Sequence, residues 1–117
     1  NRAIEMIKRC LEKTKEQILS VLKKYLSKDQ HVKIYLFGSR VHDHLKGGDI
    51  DLAIVFKEES LAHKLAALDY VLLANLKRQS AIGDQKIDLK IICESDLNKP
   101  FYKHALNQAV LLFESVK

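Results

Sequence analysis

Residues 35–56 read YLFGSRVHDHLKGGDIDLAIVF. One apolar run stops at Gly38-Ser39, and the next begins with two carboxylates, Asp49 and Asp51, one residue apart. Aspartate is a poor strand former, and an ionised carboxylate is costly beside buried hydrophobes. Side chains alternate along a strand, so Asp49 and Asp51 share a face with Ala53 and Val55, and Ile50, Leu52, Ile54 and Phe56 take the other. Past the aspartates both faces are apolar. That pattern predicts an inner strand covered on both sides, with the carboxylates at its rim.

Outward from this strand, HVKIYLF (31–37) reads as a short strand ending at Gly38, and SRVHDHLKGG (39–48) as a polar helix or loop. KIDLKIIC (86–93) is a third strand, in which Asp88 stands two residues after Lys86 as Asp51 stands two after Asp49. Between the second and third strands, residues 58–79 read as one helix with Leu61, Leu65, Leu68, Leu72 and Leu76 on a face. A strand, a helix and a strand make the crossover that joins parallel strands. The shorter connection between the first two strands most easily returns antiparallel.

Residues 4–26 read as a first helix with a seam of Ile4, Ile7, Leu11, Thr14, Ile18, Val21 and Tyr25, closed by a turn at SKDQ. A last helix is expected after Pro100, its apolar face carrying Phe101, Ala105, Ala109, Leu112 and Phe113. The expected order is α-β-(short α)-β-α-β-α: one α/β domain over residues 1–117, with a small three-stranded mixed sheet packed with helices.

This topology brings Gly38-Ser39, Asp49, Asp51 and Asp88 to one edge of the sheet. Taken singly, Ser39 is an ordinary helix N-cap, Asp49 a turn residue after two glycines, and Asp88 a polar residue on a solvated face. Together, three carboxylates repel one another unless a cation neutralises them, and oxygen ligands of this kind suit Mg²⁺. Gly38 lets backbone approach a phosphate, Ser39 offers N–H groups and a hydroxyl, and Arg40 adds charge. Carboxylates for metal beside a phosphate cradle make a site for a nucleoside triphosphate. Nothing in the Gly-Ser loop reads a base.

Composition agrees and narrows the class. The 117 residues are 47% hydrophobic, enough for a conventional core without disulfides or a structural metal. No apolar run approaches the ~20 residues needed to cross a bilayer, and no secretory leader is visible. Cys10 and Cys93 have no partner motif and read as reduced thiols of a cytoplasmic protein. A formal charge of +5 with a pI near 9.2 fits either lysines solvating helix faces or contact with polyanions. Basic residues are scattered, without an aromatic-and-basic RNA-binding signature, so nucleic acid is not required.

FGSR at 37–40 and DIDLAI at 49–54, with nine residues between Ser39 and Asp49, resemble the nucleotidyltransferase signature of the DNA polymerase β superfamily. The region that carries the likeness runs from Ile34 to Ile92, and the short chain is similar to the minimal nucleotidyltransferase (MNT) proteins. The resemblance implies the polymerase-β-like fold, with Gly38 and Ser39 on the triphosphate and Asp49 and Asp51 ligating two Mg²⁺ ions. Asp88 would be the third carboxylate, sharing a metal and helping to deprotonate an acceptor hydroxyl. The implied chemistry is in-line attack on the α-phosphorus with pyrophosphate leaving. Gly48 stands before the first aspartate where serine is common, which loosens the loop and removes no ligand. Many MNT proteins are encoded beside a HEPN-domain protein as antitoxin to its toxin, and characterised cases transfer AMP to a tyrosine of that toxin. For this chain the resemblance thus implies ATP as the nucleotide. A small catalytic domain that needs a partner to supply the acceptor fits that arrangement. A non-catalytic module that neutralises its partner by occlusion, and an enzyme acting on a small molecule or RNA end, are the competing readings.

The remaining motifs carry less. His42 and His44 sit two apart, which on a helix turns them in different directions, and His31, His63 and His104 are scattered, so all read as surface residues. His42 and Lys46 lie within reach of a phosphate loop. The first-helix seam either packs on its own sheet or docks a partner or second copy. Cys93 reads as an inert buried thiol. Tyr102 and Lys103 lie near the start of the last helix, where the sequence permits an approach to the nucleotide without requiring one.

Overall fold

The computed structural model describes residues 2–26, 31–37, 50–83 and 85–115. Helix α1 spans Arg2–Leu22 and ends in a tight turn at Lys23–Tyr25. Strands β1 (Val32–Phe37) and β2 (Ile50–Phe56) follow, then helices α2 (Glu59–Ala66) and α3 (Asp69–Lys77), strand β3 (Ile87–Cys93), helix α4 (Pro100–Ala105) and strand β4 (Val110–Ser115). Among the described residues the strands form one sheet in the order β3-β2-β1-β4. β1 runs antiparallel to β2 and to β4, and β2 runs parallel to β3, as the connections require.

β2 is the inner strand its sequence predicts. Leu52, Ala53 and Ile54 are fully buried, and Ile50, Val55 and Phe56 nearly so. One sheet face joins Ile50, Leu52, Ile54 and Phe56 to Ile34, Leu36 and Ile87, under Ile18, Val21 and Leu22 of α1, Ala62 and Leu65 of α2, and Leu72 and Leu76 of α3. The C-terminal half of the first-helix seam therefore packs on its own sheet. The other face is smaller: Phe37, Ala53, Val55 and Ile92, covered by Tyr102, Ala105 and Leu106 of α4 and the turn after it. Gln17 fastens α1 to the loop after α3, its amide donating to Ser80 Oγ (3.0 Å) and its oxygen accepting the Ala81 N–H (2.8 Å). That loop closes through Gly83, at φ +55°, a conformation costly for a side chain with a Cβ.

Two expected elements differ. The helix expected over 58–79 is broken at Ala67–Leu68 into α2 and α3, and Leu68 is 42% exposed where Leu65, Leu72 and Leu76 are buried. A straight helix of twenty residues runs about 30 Å, whereas a seven-residue strand runs about 23 Å, so the break keeps both halves over the sheet. The helix expected from Pro100 through Phe113 stops at Ala105, and residues 110–115 form a fourth strand. Val-Leu-Leu-Phe is a short apolar run whose periodicity does not separate strand from helix. Pairing along β1 decides it, since there the run satisfies the outer backbone groups of Val32–Leu36, with Lys33 opposite Glu114 and Ile34 opposite Phe113. Lys33 Nζ lies 3.5 Å from Glu114, and Leu112 enters the main core. No helix of the described residues is long and apolar enough to cross a membrane.

Candidate functional site

The parallel pairing sets Asp51 directly opposite Asp88, in the register that also pairs Ile50 with Ile87 and Leu52 with Leu89. Adjacent strands lie about 4.8 Å apart, so the two carboxylates are neighbours on the sheet face that α4 partly covers. On its other side Asp51 is opposite Phe37, the last residue of β1. Both aspartates sit at the first turns of their strands, before the buried Ala53–Val55 stretch, and both are half-buried. The sequence placed Asp51 and Asp88 at one end and one depth of the sheet, and the structure brings them together there. Gly38, Ser39, Arg40 and Asp49, with His42, His44 and Lys46, lie outside the described residues.

An open cleft of about 380 Å³ stands over the pair, lined by Phe37, Asp51, Asp88, Phe101, His104, Ala105 and Asn107. This lies within the roughly 300–1,000 Å³ of small-molecule sites. Its far wall comes from α4 and the turn that follows. Sequence reasoning missed Phe101 and Asn107 as cleft residues and took His104 only as surface. The signal was the spacing 101, 104, 107, readable only once the helix is known to stop at Ala105. Tyr102 packs on the sheet in the smaller core cluster, and Lys103 is exposed.

Lys90 follows Asp88 by two residues on the same face, and its Nζ lies 3.4 Å from Asp88 Oδ1. It supplies a counter-charge beside a pair of like-charged carboxylates that repel each other. Side-chain exposures of 37% for Lys90 and 45% for Asp88 keep the attraction modest. Further along the chain, the Cys93 N–H donates to Asp96 Oδ2 (3.1 Å) and Lys99 Nζ lies 2.8 Å from Asp96 Oδ1. Donation from Lys99 first, and from the Cys93 N–H second, holds the Asp96 carboxyl below the usual carboxylate range. Cys93 itself is buried, with Sγ 2.9 Å from Ser95 Oγ.

The donor chemistry fits a hard divalent cation. Two carboxylates on adjacent strands, facing an open cleft, are the one or two protein ligands that Mg²⁺ typically takes before water and phosphate complete its shell. Among the described residues, no group of three or more His, Cys, Asp or Glu side chains is assembled for a metal. His63 sits exposed on α2, 3.6 Å from Glu59, away from the cleft.

A search of curated proteins returns no match. The family profile described as "Polymerase beta, Nucleotidyltransferase" matches residues 16–117, from the middle of α1 through β4. With that match over most of its length, and with the mixed sheet that sets Asp51 against Asp88, the chain belongs to the polymerase beta nucleotidyltransferase family.

Proposed function

We propose that this chain is a minimal nucleotidyltransferase domain that moves AMP from ATP, with Mg²⁺, to a tyrosine hydroxyl of a HEPN-domain toxin, and so acts as its antitoxin in the cytoplasm. The observation that carries the enzymatic part is the in-register Asp51–Asp88 pair at the floor of an open cleft. A binding module gains nothing from neighbouring like charges, whereas a site for a divalent cation and a triphosphate requires them. Family membership supports nucleotidyl transfer. The likeness to the MNT proteins suggests the nucleotide and acceptor, while FGSR and DIDLAI carry the signature of the whole superfamily and specify neither.

In this reading Asp49, Asp51 and Asp88 hold the metal, and Gly38, Ser39 and Arg40 receive the phosphates. Mg²⁺, when bound, stabilises charge on the attacking and departing oxygens. Asp88, on the strand farther from β1, accepts the acceptor's hydroxyl proton. The hydroxyl oxygen forms a bond to the α-phosphorus as the α–β bridging bond breaks, and pyrophosphate leaves with the electron pair. Buried Ala53, Val55 and Phe37 fix the strands beneath the aspartates, so the pair moves little as substrate arrives.

The test is label transfer from α-labelled ATP to a HEPN-domain protein encoded beside this chain, with Asp51→Asn and Asp88→Asn run in parallel. Label on the toxin, lost in both variants while the complex still forms, is the expected result. A stable, neutralising complex with no label from any of the four nucleotides would replace catalysis with occlusion. Label on an RNA end or small molecule without the toxin would change the acceptor.

A further inference from the structure

The Gly-Ser loop has nothing with which to recognise a base, yet the cleft over Asp51 and Asp88 has a second wall. Helical spacing divides α4 into two sides. Tyr102, with Leu106 in the following turn, packs on the sheet, Ala105 touches both the sheet and the cleft, and Phe101, His104 and Asn107 line the cleft. Phe101 is 56% exposed despite its size. Its ring is set edge-to-face with Tyr102, centroids 5.0 Å apart at 86°, and Tyr102 is itself anchored in the smaller core cluster. An exposed aromatic ring that lines a cleft and rests against an anchored neighbour can serve as a stacking platform. Beside it stand a carboxamide that both donates and accepts and an imidazole that in its neutral form does the same. The carboxylates among the lining residues are confined to the opposite wall, at Asp51 and Asp88. The α4 wall thus presents an exposed aromatic ring and polar side chains able to hydrogen-bond, which are the complements of a nucleobase.

We propose that Phe101, Asn107 and His104 form the nucleobase subsite for the nucleoside triphosphate, Phe101 stacking on the base and Asn107 and His104 meeting its edge. This rests on the nucleotidyltransferase reading above. A cleft of about 380 Å³ is small enough that one nucleotide spans it, phosphates at the acidic wall and base at the α4 wall.

The test is calorimetric titration of the full chain, in Mg²⁺, with ATP and separately with inorganic tripolyphosphate. Wild type, Phe101→Ala, Phe101→Trp and Asn107→Ala are compared, each checked for an unchanged melting transition. The expected result is ATP binding at least tenfold tighter than tripolyphosphate in wild type. Phe101→Ala should weaken ATP by about tenfold and leave tripolyphosphate unchanged, while Phe101→Trp retains tight ATP binding. Equal wild-type affinity for the two ligands, or ATP binding untouched by Phe101→Ala, would overturn the base subsite alone. Failure of wild type to bind either ligand would remove the nucleotide reading itself.

Discussion

Lys90 makes the electrostatics of the site measurable. Its Nζ is 3.4 Å from Asp88 Oδ1, and Asp51 is Asp88's neighbour across the strand pair. At that distance the Lys90–Asp88 attraction is about 1.2 kcal/mol in water-like dielectric, and exposed pairs measure about 0–1 kcal/mol. Lys90→Met keeps the apolar stem and removes the charge, so the metal-free fold should lose about 0.5–1 kcal/mol. A divalent cation on Asp88 would meet the same ammonium as a repelling charge. At about 5 Å in water-like dielectric that repulsion approaches 1.7 kcal/mol, and salt reduces it. Removing it should tighten divalent binding by about 1–1.5 kcal/mol, roughly five- to twelve-fold. The assay pairs thermal unfolding in EDTA with a Mn²⁺ titration followed by electron paramagnetic resonance, both at low ionic strength. A variant slightly less stable without metal and markedly tighter for Mn²⁺ is expected. Unchanged or weaker Mn²⁺ binding would refute the assignment of Asp88 as a ligand beside Lys90.

Three further outcomes test the framework around the site. Ile54→Ala, at a fully buried position in the middle of β2, should cost about 2–5 kcal/mol in denaturant unfolding, and a loss below 1 kcal/mol would mean that β2 is not the covered inner strand. Gly83→Ala meets no atom within 4 Å of the added Cβ, so its cost of about 1–2 kcal/mol should come from the positive φ alone; no change in unfolding midpoint would contradict that turn geometry. Asp96 has a depressed carboxyl pKa in the fold, so its contribution is present above the unfolded value of about 3.9 and is lost as pH falls through the folded value. Asp96→Asn should therefore be less stable by about 1 kcal/mol at pH 7, with the gap closing below about pH 4; a gap constant from pH 7 to 2 would show that the charge is not what matters.

Much of this architecture is legible in the chain because β2 states its environment twice. Alternating positions are apolar on both faces, which only a covered inner strand needs, and the departures from apolarity fall at its start. The repeat of that pattern around Asp88, across a helical crossover, predicts the parallel register that sets the two aspartates opposite each other. The C-terminal segment was not legible in the same way. Ala109–Phe113 satisfies both periods, and only the open edge of β1, a tertiary fact, chooses strand. The misassigned helix hid the α4 wall, because the side of Phe101, His104 and Asn107 is distinguishable from that of Tyr102 only when the helix ends where it does. The break at Leu68 has the same origin: the leucine ladder is helical in period, but the length of the sheet beneath it is not written locally.

The most direct measurement of the central claim is the position of a divalent ion. Crystals grown with Mn²⁺ and a non-hydrolysable ATP analogue, measured at the manganese absorption edge, should show an anomalous peak within about 2.0–2.2 Å of carboxylate oxygens of both Asp51 and Asp88, the distance of hard-cation coordination. The peak should vanish in Asp88→Asn. Manganese bound elsewhere, or Asp51 and Asp88 left without metal when the analogue is in place, would contradict the account.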